Sequence, residues 1–428
     1  MIKSIKAMWT NKDIRKRILF TLFAFLVYRL GCAITVPDVN TTDLVAGLGD
    51  NSLFAMLNLL GGGGLEQFSV FALGVTPYIT SSIIIQLLSM DVIPHLTELS
   101  KSGANGRKKL DQYTRYLAVV FGFVQSFSLV YGFAHTYQGL IVGGVTFAKL
   151  LYIATIFTAG TMFLVWIGDQ ISLKGIGNGI SMVIMAGIVG RMPQQFSSAW
   201  SSLIDSHVAN GALLFASYIL VYLLIIIFVT LINTAERKIP IQYTSSSITM
   251  SKAGNMNYLP LKINSASVIP VIFASSLMMA PLQIASFFPQ KDWMVTMQNW
   301  LGLKTWYSLA IYVVLILMFT FFYAKMQINP EKIAENLGKS GAYIPSVRPG
   351  TETKDYVNRV LSRITVLGSV ALAAIAVMPH IMPLIWPELP SSMALGGTGM
   401  IIVVGVAIET VRQVQGLITQ KAYKKYFD

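Results

Sequence analysis

A chain of 428 residues with 54% hydrophobic and only 12% charged side chains, at a mean hydropathy of +0.62, is too apolar for an ordinary water-soluble protein. The bilayer is its solvent, and the single Cys32 excludes an internal disulfide and any cysteine-based metal cluster. The formal charge of +13 then has to be explained by where the cations fall along the chain.

Residues 1–17 carry Lys3, Lys6, Lys12, Arg15, Lys16 and Arg17, with Ile2, Ile5, Met8 and Trp9 at helical spacing. This predicts an amphipathic helix on the cytoplasmic membrane surface that leads into the first span. A cleaved signal peptide is rejected, because the apolar run at 18–36 is longer than a signal core and lacks a small-residue cleavage site. Apolar runs and their polar interruptions then predict ten spans, at 18–36, 70–90, 116–134, 149–170, 180–197, 212–233, 264–286, 306–325, 360–379 and 397–417. With the N-terminus inside, 27 of the 32 Lys and Arg residues fall on cytoplasmic segments. Only Arg29, Lys149, Arg191, Lys291 and Lys304 do not, so the positive-inside rule supports the count independently of hydropathy. The cytoplasmic loops at 235–263 and 326–359 are long, mixed in charge and rich in turn residues. Loops of that kind tend to be functional, and a basic cytoplasmic face suits an acidic or RNA-rich partner. A basic tail follows at 418–428.

After span one, the stretch 52–60 is apolar but about half the length that a bilayer requires, and Gly61 to Gly64 follow it. Two readings stay open here: a re-entrant, half-inserted helix in a protein-lined cavity, or a buried outer turn. Span two contains Gly74 and Pro77, and span five opens on Gly175-Ile176-Gly177-Asn178-Gly179. Helices broken at both positions point to a central cavity. A nucleotide loop is a poor fit to that glycine run, since no strand precedes it and no Lys-Ser/Thr follows. Ionisable groups in the spans are few: Arg29, Asp169, Arg363, Glu409 and Arg412 all sit near span ends, where pairing or snorkelling accounts for them. His95, His135, His207 and His380 are isolated, so no catalytic, metal or cofactor constellation is expected, and an enzyme is not.

The runs Phe71-Ala72-Leu73-Gly74-Val75-Thr76-Pro77-Tyr78-Ile79, Ser82 to Leu88, Gly175 to Ser181, Leu259 to Asn264 and Val268 to Ala274 resemble signature segments of the SecY/Sec61α family. So do Asn329-Pro330 through Ser340-Gly341-Ala342 to Arg348-Pro349-Gly350, Gly396-Gly397-Thr398 and Gln413-Val414-Gln415, in order from span two to span ten. The resemblance is to the bacterial-type channel subunit of the Sec protein translocase. It implies an all-α membrane protein of ten spans in two inverted halves, 18–190 and 212–417, hinged at 191–211 around a central pore. Its function would be to pass unfolded secretory polypeptides across the plasma membrane and to release transmembrane segments sideways into lipid.

Carried over by position, Val75, Ile79, Ile180, Ile184, Ile272 and Ile402 correspond to the family's pore ring. Val75 stands where bacterial relatives have isoleucine, one methylene less, worth about 0.8 kcal/mol when buried. The segment 53–68, with Leu53, Phe54, Met56, Leu57, Leu60, Gly61, Gly64 and Leu65, corresponds to its plug, and Gln86, Gln125 and Asn264 to its lateral gate. Arg237, Lys238 and Arg348 correspond to a docking surface for the ribosome, rRNA included, and for the SecA motor ATPase. SecE-type and SecG-type small subunits, signal sequences, nascent chains and membrane lipid complete the implied partners. A secondary transporter with inverted repeats is the competing class, disfavoured by the scarcity of mid-membrane carboxylates and histidines. A scaffold without a pore is the third, and sequence alone does not separate it.

Overall fold

The structure is a computed structural model that describes residues 11–40, 58, 61–90, 92–136, 139–205, 211–243, 257–285, 292–303, 305–385 and 391–427. Residues 1–10 of the predicted surface helix at 1–17 therefore lie outside the described residues, and 12–17 form the first turns of α1 (Lys12–Ala33). The Asn11 side chain caps that helix by accepting from the Asp13 N–H at 3.3 Å. Along α1, Ile14, Thr21, Ala24, Tyr28 and Gly31 recur at helical spacing and are buried, whereas Leu19, Leu22, Phe23, Leu26 and Leu30 are exposed. In a membrane the second set is the lipid-facing side.

From Gly61 to Val75 the chain runs as turns. Val36 N–H donates to Phe68 O and Val70 N–H to Ile34 O, each at 3.0 Å, so the exit from α1 and the approach to α2 pair side by side. Helix α2 (Thr76–Leu88) starts only at Thr76, with Pro77 in its first turn. The expected span at 70–90 is thus helical over its second part only, because Gly74 at φ +56° cannot continue a right-handed helix.

There follow α3 (Pro94–Lys101), α4 (Gly103–Thr136), α5 (Phe147–Lys174), α6 (Gly179–Trp200) with a short π-helical extension, and α7 (Gly211–Thr234). Strands β1 (Glu236–Tyr243) and β2 (Asn257–Lys262) come next, then α8 (Ile269–Ala285), α9 (Asp292–Leu301), α10 (Trp306–Gln327), α11 (Pro330–Lys339), β3 (Ala342–Tyr343), α12 (Thr351–Ile385) and α13 (Ser391–Phe427). Each of the ten expected spans contains a helix. Among the described residues six helices are long and apolar enough to cross a membrane, beginning at Gly103, Phe147, Gly211, Trp306, Thr351 and Gly399. Helices α2 and α8, at 13 and 17 residues, fall short of the roughly 20 that a lone span needs.

The expectation of an all-helical chain is corrected on the loops at 235–263 and 326–359. Strands β2-β1-β3 form an antiparallel sheet, with Arg237 opposite Leu261, Ile239 opposite Leu259 and Tyr243 opposite Ala342. Outside the bilayer a loop can satisfy its backbone across strands. Here Ile239, Leu261, Ile344 and Val357 supply a separate apolar core that ties the sheet to α12.

The main core runs through the helices and is closed by glycines. A Cβ on Gly179 would lie 2.9 Å from the Gly168 Cα, so α6 abuts the backbone of α5 there. Helix α7 buries Tyr218, Tyr222, Ile225, Val229 and Asn233 on one stripe and exposes Leu213, Leu220, Leu223 and Ile227 on the other.

Candidate pore and gate

A cavity of about 330 Å³ lies where α2, α6, α8 and α10 meet. Ile79, Ile180, Ile184 and Ile272 line it, together with Gln86, Phe273 and Tyr323. Local structure sets these positions. Val75 precedes α2 as its cap residue, and Ile79 follows one turn later on the same face, its N–H donating to Val75 O at 3.1 Å. Asn178 caps α6 by accepting from the Ile180 N–H at 3.2 Å, so Ile180 and Ile184 stand a turn apart. The Gly177 N–H donates to Gln413 Oε1 of α13 at 3.1 Å. The glycine run is therefore the tight entry to α6, with Gly177 at φ +87°. Val75 and Ile402 belong to the same core, at 2% and 4% exposure, but not to the cavity wall.

The three amides expected at the gate have different surroundings. Gln86 donates from Nε2 to Ser82 Oγ at 3.1 Å and accepts at Oε1 from the hydroxyl of Tyr323, which joins α2 to α10. The ring of Phe273 on α8 meets that of Tyr323 edge-on at 5.0 Å. Gln125 on α4 is 3% exposed, and its Oε1 has no partner among the described residues; the Ser276 hydroxyl on α8 has none either. Asn264 donates to Asn233 Oδ1 and to Ser267 O, both at 3.0 Å, while Arg412 donates to the Asn233 carbonyl at 3.0 Å. Its amide hydrogen bonds thus run to α7 and to its own turn, not to α2 or α4. Tyr323 and Phe273 were not picked out from the sequence. The available signal was a tyrosine within an apolar run, whose buried hydroxyl needs a partner.

Of the expected plug, Leu53, Phe54, Met56, Leu57 and Leu60 lie outside the described residues. Gly61, Gly64 and Leu65 are buried, with Leu65 at 0% exposure. Residues 61–68 of that segment run as turns, with Gly62 and Gly63 at φ of +67° and +89°.

In the sheet, Arg237 and Lys238 are exposed on β1, with the Lys238 ammonium 3.9 Å from Glu236. Arg348 is 88% exposed in the turn before α12 and lies 4.0 Å from Glu352. Surface pairs of this kind contribute little to stability. Near the expected ends of two spans, Arg115 of α4 pairs with Asp169 of α5 at 2.9 Å.

A family model described as SecY matches residues 69–411. The chain is 44% identical over 431 residues to protein translocase subunit SecY 1 of Lactobacillus kefiranofaciens subsp. kefiranofaciens, covering 99% of each. It is similar to a solved protein conducting channel, with TM-score 0.68 at 18% identity, over 94% of this chain and 92% of that one. It is also similar to Sec61 in the canine ribosome-channel complex from the endoplasmic reticulum, with TM-score 0.66 at 18% identity and the same coverage. At such identities the two structures speak for the fold, while the family match and the near full-length relative fix the lineage. The chain belongs to the SecY family, as a non-catalytic channel subunit of the protein translocase.

Proposed function

We propose that the chain forms a plugged aqueous path for unfolded polypeptide, enclosed by ten spans in two inverted halves with both termini on the cytoplasmic side of the plasma membrane. The halves are 18–190 and 212–417, joined at 191–211. The observation that carries this is the convergence of Ile79, Ile180, Ile184 and Ile272, from three helices, on one cavity beside Gln86 and Tyr323. With Val75 and Ile402 they make a ring of branched aliphatic side chains, which excludes ions by dewetting yet yields to a chain pushed through it. The segment 53–68 closes the path from the outer side.

The gate lies between α2 and α4 on one side and α8 and α10 on the other. Gln86 and Tyr323 hold it shut. Gln125 Oε1, left unpaired in the closed form, favours opening, since a buried polar atom without a partner is costly. A signal sequence, itself an apolar helix, opens the gate by replacing these contacts with its own. Transmembrane segments leave through the same gap into lipid. The sheet β2-β1-β3, with Arg237 and Lys238, and the nearby Arg348 form the docking face for a ribosome, rRNA included, or for a SecA-type motor. The canine complex supports the ribosome as partner for the fold. SecE-type and SecG-type subunits complete the assembly.

Ion conductance in planar bilayers tests the proposal, using the chain with a SecE-type partner and the same complex lacking residues 53–68. A silent complete chain and a leaking deletion are expected. Silence from both, in preparations shown to be folded, would sink the plug and with it the plugged pore.

A further inference from the structure

Two of the arginines that break the charge asymmetry of the sequence, Arg29 and Arg191, grip one stretch of chain from two helices. Arg29 of α1 donates from Nη1 to the Gly62 carbonyl at 3.0 Å. Arg191 of α6 is ion-paired through Nη2 with Glu66, and only 12% and 28% of the two side chains are exposed. The stem of Arg191 also lies over Gly63, where an added Cβ would sit 3.2 Å from its Cδ.

Between these grips the turn is closed on itself. Asn58, 2% exposed, accepts at Oδ1 from the Glu66 N–H at 3.2 Å, and its carbonyl accepts from the Gly63 N–H at 2.8 Å. Asn58, Gly63 and Glu66 are therefore tied together, and the turn at 61–66 is tied to α1 and α6. Beside them opens a cavity of about 320 Å³, walled in part by Leu26 and Leu30, which gives the turn room to move.

Cations on the outer side run against the orienting rule for membrane proteins, so their presence calls for a local reason. Fold maintenance alone is a weak one, because every contact named lies among α1, α6 and the turn before α2, and none reaches the half at 212–417. What the contacts restrain is the movement of the turn at 61–66 relative to α1 and α6.

We infer that Arg29, Arg191 and Glu66 are positioning residues for channel closure, a two-point clasp on the root of the plug segment that breaks before the plug withdraws. The inference rests on the plug reading above. Neutralising either member of the Glu66–Arg191 pair strands the other charge where solvation is poor, and the strain is relieved by moving the turn out into water. Both single changes therefore act in the same direction, toward opening, and exchanging the charges restores the clasp.

The test is channel-opening frequency in planar bilayers, with a SecE-type partner, for the parent, Glu66→Gln, Arg191→Gln, the exchange Glu66→Arg with Arg191→Glu, and the deletion of 53–68. Each single change should raise the opening frequency at least about tenfold, a ratio equivalent to about 1.4 kcal/mol. The exchange should return it to the parent level, a rescue that general loss of packing would not produce. Should Arg191→Gln fail to fold, the near-isosteric Glu66→Gln probes the same pair. Quiet single variants beside a leaking deletion overturn the clasp and leave the plug standing. An exchange that leaks as much as the single variants also overturns it. A silent deletion overturns both.

Discussion

Tyr323 carries one hydroxyl into a wall of aliphatic and aromatic groups and donates it to Gln86, so a single hydrogen bond spans the junction of α2 and α10. The Gln86 Nε2 is already committed to Ser82, which leaves Oε1 oriented for that bond alone. Tyr323→Phe keeps the ring contact with Phe273 and removes the bond, a change of about 0.5–1.5 kcal/mol. If the bond holds the junction closed, disulfide formation between Ser82→Cys and Met326→Cys, both on the cavity wall, should slow by a factor of about 2–10 in the Phe variant. Gln86→Ala should slow it similarly, and the double change should do no more than either alone, the signature of one shared interaction. Additive slowing would mean that the two side chains act separately. This bond is also where reading the sequence stopped short. Gln86 stands out as an amide in a span, but its partner lies 237 residues away and no local pattern points to it. Asn264 stands out for the same reason, yet its amide pairs with Asn233 on the neighbouring α7. An amide in an apolar run announces that a partner exists without saying which.

At the scale of elements, hydropathy located the helices and misjudged where two of them begin. The expected spans are 70–90 and 264–286, but α2 starts at Thr76 and α8 at Ile269. Gly74 at φ +56° and Ser267 at φ +56° precede these starts by two residues, and backbone conformation of that kind leaves no mark on hydropathy. The sheet was missed for a related reason. Its central strand, Glu-Arg-Lys-Ile-Pro-Ile-Gln-Tyr, buries only Ile239 fully, so the period of two that betrays a strand is almost absent. Proline in a central strand argues against one as well, but β3 pairs only at Gln242 and Tyr243, so the ladder at Pro240 runs on one side. Because four side chains make up this core, each matters. Ile239→Ala should cost the sheet about 2–4 kcal/mol. Amide exchange in β1 and β2 should accelerate accordingly while the protection of α4 and α5 stays unchanged. Equal acceleration in the spans would show that the sheet does not unfold as a local unit.

For the molecule as a whole, the question with the widest consequences is how many helices cross the membrane. Length and composition single out six helices among the described residues, whereas the charge distribution calls for ten crossings. The two counts assign opposite sides to the same loops. With ten crossings and the N-terminus inside, the loop between α6 and α7 is external and the hairpin of β1 and β2 is cytoplasmic. If only the six crossed, α6 and α8 would not, and both assignments would reverse. Arg237, Lys238, Lys252 and Lys262 would then face outward, against the rule that orients membrane proteins. The short α2 and α8 do not count against ten, because non-helical chain is tolerated at membrane depth where protein surrounds it, and Leu65, Phe68 and Leu73 before α2 and Asn264, Ala266 and Val268 before α8 are buried. The native Cys32 is 3% exposed and can be replaced by Ser to give a background without thiols. On that background, Ser201→Cys and Tyr258→Cys, both at exposed positions, report the two loops. A membrane-impermeant maleimide added to intact cells should label Ser201→Cys at once and Tyr258→Cys only after permeabilisation. The reverse pattern would restore the six-crossing count and dismantle the inverted halves, the pore between them and the cytoplasmic docking face together.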